Sequence, residues 1–191
     1  VGLLIRLYIV RDLPAGLWGD SYHHTMIAQL MLDNDGLFSS WRPYAPLDSF
    51  SYHYGFHANS AFFAWLTGLS ALQSVLLMGQ LLNAATLLMA YLLTVRLTQN
   101  AAAGLWAVAL TGFFNTMPAF YVNWGRYTQL TGQVILPTVI LCWMLALEHS
   151  RVSWRPILLA TLASAGLFLT HYIVALFAAA FIGTAAIALF A

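Results

Sequence analysis

Beyond position 57 this chain is a succession of long apolar stretches, broken only by isolated charged residues and short polar turns. Five of its six acids (Asp12, Asp20, Asp33, Asp35, Asp48) and four of its six histidines (His23, His24, His53, His57) lie between positions 12 and 57. With 61% hydrophobic and 7% charged residues, the sequence cannot cover a soluble surface, which would need roughly a quarter of its residues charged. A bilayer asks instead for runs of about 20 apolar residues, and several are present. The expected fold is all-α: a polytopic transmembrane helical bundle whose first outer loop carries interfacial helices and the chemistry.

All seven basic residues are arginine, and the net charge of +1 points to no nucleic acid and no acidic partner. The single cysteine, Cys142, lies in an apolar run, so neither a disulfide framework nor a thiolate metal site is available. The chain opens without an initiator Met and without a signal-peptide pattern, and it stops inside a hydrophobic stretch. The expectation is one transmembrane domain over 1–191, truncated at both ends.

Residues 1–10 read as the end of a first span, stopped by Pro14 and Gly16. An outer loop over 11–72 follows, with an amphipathic interfacial helix at about 20–32 and a second at about 57–69 that is too short to span. Asp33-Asn34-Asp35-Gly36 resembles part of a calcium loop but lacks the later ligands, and reads better as a helix-ending turn. Residues 37–56, rich in Ser, Tyr, Trp and Pro, suit a headgroup-level loop. Spans are expected at about 73–95, 101–122, 129–147, 156–170 and 173–191, the last two parted at His171. Gly79, Gly104, Gly112 and Gly132 would permit close helix packing.

If each long stretch crosses once, Arg96, Arg151 and Arg155 share a side that the positive-inside rule makes cytoplasmic. The same count brings Asp20, His23 and His24, then Arg126, then His171 to the outer face. Charged residues near hydrocarbon cost about 2.5–3.5 kcal/mol on insertion scales, so those retained there tend to be functional.

Each of these residues has two readings. Asp20 could be a general base for an acceptor hydroxyl, or the N-cap of the helix it opens. At i, i+3 and i+4, Asp20, His23 and His24 share a face; Asp20 and His24 could hold a divalent cation such as magnesium or manganese, or the histidines could be polar anchors. His53 and His57 could hold sugar hydroxyls or sit among headgroups. Arg126, between Trp124 and Tyr127, suits either a phosphate gripped bidentately or an anchor in the aromatic belt. His171 either caps a tight turn between spans or faces the same cavity as Asp20.

These features together resemble the amino-terminal half of GT-C superfamily glycosyltransferases, membrane enzymes that use polyprenyl-phosphate sugars, such as protein O-mannosyltransferases and the aminoarabinose transferases of lipid A. The likeness rests on Gly19-Asp20-Ser21-Tyr22-His23-His24 after a first span, and on the short helix from Tyr54-Gly55-Phe56-His57 to Trp65-Leu66-Thr67-Gly68. It extends to Thr94-Val95-Arg96-Leu97, Asn123-Trp124-Gly125-Arg126-Tyr127 and Leu169-Thr170-His171-Tyr172. It covers nearly the whole chain and is closest to bacterial members. One departure is that many members carry two adjacent acids where this chain has Asp20-Ser21.

The resemblance implies transfer of a sugar from a polyprenyl-phosphate donor to a lipid, glycan or protein acceptor at the outer face of a bacterial plasma membrane. Asp20 would be the catalytic carboxylate, with Arg126 and His171 on the lipid-linked phosphate and His23, His24 and His57 as further substrate contacts. Two rivals stay open. A transporter or flippase for lipid-linked saccharides would need polar groups at mid-span, for which Gln80, Asn83 and Asn115 are the candidates. A non-catalytic scaffold of the same fold would account for the missing second acid.

Overall fold

The computed structural model describes residues 1–50, 52–148 and 154–190. Among these residues the secondary structure is helical throughout, with no strand. Arg151, part of the cytoplasmic arginine count, lies outside them. The helices are α1 (Gly2–Val10), α2 (Trp18–Asp33), α3 (Gly55–Thr67), α4 (Ala71–Thr98), α5 (Ala101–Ala109), α6 (Phe120–Asn123), α7 (Tyr127–Glu148), α8 (Trp154–Thr170) and α9 (Tyr172–Phe190). Two of them, α4 and α7, are long and apolar enough to cross a membrane; Ala101–Phe114, Trp154–Thr170 and Tyr172–Ala188 are apolar but shorter.

Local chemistry fixes several boundaries. Asn34 and Gly36 donate back to the Leu30 and Met31 carbonyls, so the Asp33–Gly36 segment ends α2 as a turn. α4 opens with a capping box in which Ser70 accepts from Gln73 N and Gln73 answers at the Ser70 backbone, satisfying two orphan donors. Asn100 caps α5 by accepting from Ala102 N and Ala103 N.

The expected continuous span over 101–122 is absent. α5 passes into a π turn at Leu110–Phe114 and the helix stops there. Asn115 accepts from Met117 N through its side chain, and Pro118 cannot donate within a helix; α6 resumes only for one turn. The segment is therefore about 21 Å of helix, at 1.5 Å per residue, rather than a full crossing.

Three apolar clusters hold the bundle. Ala28, Phe56, Val75, Val122, Tyr127 and Leu130 join α2, α3, α4, α6 and α7. Ile27, Leu30, Met31 and Ala61 close on Phe38 of the 34–54 loop, and Val139, Leu167, Val174 and Ala178 bind α7 to α8 and α9. α1 is tied to α4 by a buried polar contact: Arg6 Nε donates to Asn83 Oδ1 at 2.6 Å, and Asn83 Nδ2 donates to the Ala119 carbonyl at 3.1 Å. Many large apolar side chains, among them Leu88, Trp106, Phe168, Phe177 and Phe181, point away from the bundle.

Tyr127 is fully buried, stacked on Phe56 with ring centroids 5.3 Å apart and planes 7° from parallel. It fits because position 79 has no side chain: a Cβ there would lie 2.7 Å from Tyr127 Cδ1. Gly79→Ala should therefore destabilise the purified protein by about 1–3 kcal/mol through overpacking. Gly166→Ala, whose added methyl meets nothing within 4 Å, should not lower stability; thermal unfolding of the two variants makes the comparison.

Candidate functional site

The helix carrying Asp20 begins three residues earlier than an N-cap role requires. Leu17 occupies the cap position without a side-chain hydrogen bond, and Asp20 lies inside the first turn of α2. Its carboxylate therefore meets the positive end of the helix and is not spent on capping. It lies 3.4 Å from Arg126 Nε, with both side chains about half exposed.

The corner between α6 and α7 brings Arg126 there. Gly125 has φ +68, and a Cβ on it would lie 2.7 Å from Ser21 N and 3.0 Å from Asp20 Cβ. A glycine at this left-handed position lets the corner lie flat on the first turn of α2. Arg126 N donates to Tyr121 O at 2.9 Å and closes the corner. Tyr127 then turns inward to the core, where its hydroxyl lies 3.4 Å from Ser21 Oγ, while Arg126 turns outward, its guanidinium 6.0 Å from the Trp124 ring.

Asp20, His23, His24, Arg126 and His171 line one cavity of about 430 Å³. Trp41 and Tyr52 of the loop, and Thr128 and Gln129 of α7, complete most of its wall. His171 has both of the roles the sequence left open: its Nδ1 accepts from Val174 N at 3.3 Å, capping α9, and its ring borders the cavity. Burial and then the Arg126 charge hold its pKa below the ordinary histidine value.

His57 does not reach this cavity. It is completely buried behind His24, with His24 Nδ1 and His57 Nε2 2.8 Å apart. Burial pushes His24 down to about 4, against an upward pull from Asp20 and from a hydrogen bond to the Gly125 backbone; His23 and Arg126 add to the fall. His57 is held well below the usual histidine value by burial and then by His24 and His53. The pair is neutral, one ring donating to the other's lone pair. With one nitrogen on His57 and the Gly125 backbone engaging the ring as well, His24 joins α2, α3 and the corner. Among the described residues no group of three or more His, Cys, Asp or Glu is placed to hold a metal ion. His53 borders a neighbouring cavity of about 610 Å³ between the loop and the α8–α9 junction, and its ring stands 4.9 Å from that of His171.

Sequence reasoning missed Trp41, Tyr52, Thr128 and Gln129. Thr128 and Gln129 directly follow the Asn123–Tyr127 motif and were within reach of an argument that the start of a span shares the face of the corner before it. The two aromatic residues carry no periodic signal in a loop.

Because His24 and His57 are held neutral, their burial stabilises the fold fully above the unfolded value of about 6.5. Between 6.5 and 4 the unfolded chain takes up protons that the folded His24 refuses, so stability is lost as pH falls through that window. Thermal unfolding midpoints should drop across pH 6.5 to 4, and His24→Phe should make the drop shallower without abolishing it, because burial also holds His53, His57 and His171 low; an unchanged slope would contradict the neutral pair. No protein-family model matches this chain, and neither does any curated protein sequence or solved structure.

Proposed function

We propose that this chain is the membrane-embedded catalytic part of a GT-C-type glycosyltransferase, acting at the outer face of a bacterial plasma membrane on a polyprenyl-phosphate-linked sugar. The observation that carries the reading is the Asp20–Arg126 pair on the wall of a ligand-sized cavity. A carboxylate and a guanidinium side by side match the two charge changes of glycosyl transfer: a proton lost by the acceptor and negative charge gained by the phosphate.

Arg126 meets Asp20 through Nε, and the planar fork of a guanidinium carries further N–H groups suited to phosphate oxygens. A phosphate arriving there competes with Asp20 for the cation and leaves the carboxylate turned toward the acceptor. The acceptor oxygen then bonds to the anomeric carbon while the bond from that carbon to the phosphate oxygen breaks. The departing electron pair goes to the phosphate beside Arg126, and the acceptor proton goes to Asp20.

The membrane setting is supported by the two helices of spanning length and by the large apolar side chains turned outward from α4, α5, α8 and α9. From Ala71 to Arg96 along α4 is about 38 Å, so Arg96 sits a bilayer's thickness from the cavity end of its helix. Arg155 likewise lies near the end of α8 remote from His171. Transport of the donor is the weaker reading, because mid-span Asn83 is engaged by Arg6 and Ala119.

The test uses the full chain in proteoliposomes with radiolabelled polyprenyl-phosphate sugar. Asp20→Asn should lower kcat by about 10²–10⁴-fold, the usual contribution of a general base, with the fold intact. Arg126→Ala should impair turnover more than Arg126→Lys. Undiminished turnover by Asp20→Asn would sink the catalytic assignment, and donor moved intact across the bilayer would establish transport instead.

A further inference from the structure

The cavity has two kinds of wall, and they come from different parts of the chain. Its charged groups and most of its hydrogen-bonding groups belong to α2, the Gly125 corner, the start of α7 and His171 at the α8–α9 junction. Its aromatic surface belongs to the loop between α2 and α3, through Trp41 and Tyr52.

Trp41 is fixed in place by that loop. Its backbone N donates to Leu47 O at 2.8 Å, and its own carbonyl accepts from Tyr44 N and Ala45 N at 2.9 and 3.0 Å. Its indole Nε1 donates to Ser49 O at 2.7 Å. Phe38 meets the ring edge-on at 5.4 Å between centroids, and Phe50 lies 5.8 Å away. Every polar atom of Trp41 is thus already bonded within the loop, yet the residue remains only half-buried and borders the cavity. Carbon surface is what it has left to offer a ligand.

A ligand that satisfies both walls needs a carbon face on one side and several hydroxyls on the other, which describes a pyranose ring. Charge narrows the attached group. Arg126 is the one arginine among the lining residues and already faces Asp20, so the local charge is balanced. A single phosphate can share that guanidinium; the diphosphate of a nucleotide sugar would bring further negative charge with no second cation to meet it.

We propose that Trp41 is the sugar-recognising residue of this cavity, a platform for the apolar face of a pyranose whose anomeric carbon carries one phosphate on Arg126. The assignment rests on the glycosyltransferase reading and adds to it the residue that tells a sugar-bearing lipid phosphate from a bare one. Trp41 acts through ligand affinity and takes no part in the proton transfer at Asp20.

The full chain in detergent is titrated with polyprenyl phosphate and with the same lipid carrying its sugar, and the ratio of the two affinities is taken within each variant. A partial folding defect moves both affinities together and leaves that ratio alone. Trp41→Leu should lower the preference for the sugar-bearing lipid by about tenfold while binding the bare lipid phosphate as before. Trp41→Phe, which keeps an aromatic face, should restore most of the preference, and Arg126→Ala should weaken both ligands. An unchanged ratio in Trp41→Leu would overturn the Trp41 assignment while leaving the catalytic pair standing, and equal competition by a nucleotide-diphosphate sugar would overturn the single-phosphate donor. Failure of the unaltered protein to bind either lipid would overturn both.

Discussion

The burial of Tyr127 is the constraint on which the arrangement of the cavity depends. Its ring lies on the bare backbone at Gly79, stacks on Phe56 and meets the edge of His24, so one side chain touches α4, α3 and α2 at once. An aromatic residue buried this completely is worth about 3–5 kcal/mol against truncation to alanine. Its chain neighbours inherit the placement: with Tyr127 fixed inward, Gly125 is pressed onto the first turn of α2 and Arg126 is left with the outer side. The ion pair at the cavity wall is thus a by-product of core packing, which gives it a rigid base although the pair itself is half exposed.

That base matters because an exposed pair of this kind contributes little to stability by itself, about 0–1 kcal/mol. Its value lies in holding opposite charges within one cavity without a deep desolvation cost. His24 and His57 do the complementary work. They span α2 and α3 as a neutral hydrogen-bonded unit, so the floor under the charged pair carries no charge of its own at neutral pH.

Part of this could be read from the chain in advance. Asp20, Arg126 and His171 do line one cavity, but the arginine count that grouped them took 101–122 as one crossing, and the helix there stops at Phe114. The start of α2 was misplaced by two residues because Trp18 and Gly19 carry no helix-starting signal, and that shift removed the capping role from Asp20. The break at 115–119 lies within a mostly apolar stretch, with Asn115 and Pro118 its cues. The His24–His57 contact joins residues 33 apart on different helices, and no periodicity within either helix reports it. Trp41 escaped for a related reason: its loop is ordered by its own aromatic packing and backbone bonds, which leave no repeat in the sequence.

The bond between Arg6 and Asn83 has a consequence for how the chain comes to be assembled. Its partners are 77 residues apart, and the guanidinium is buried in the finished bundle. On the membrane reading, a newly made α1 would present an unmet cation to the bilayer, at about 2.5–3.5 kcal/mol on insertion scales, until residue 83 had emerged from the ribosome and joined it. The first helix would then reach its final depth only after the fourth, and the order of insertion would differ from the order of synthesis.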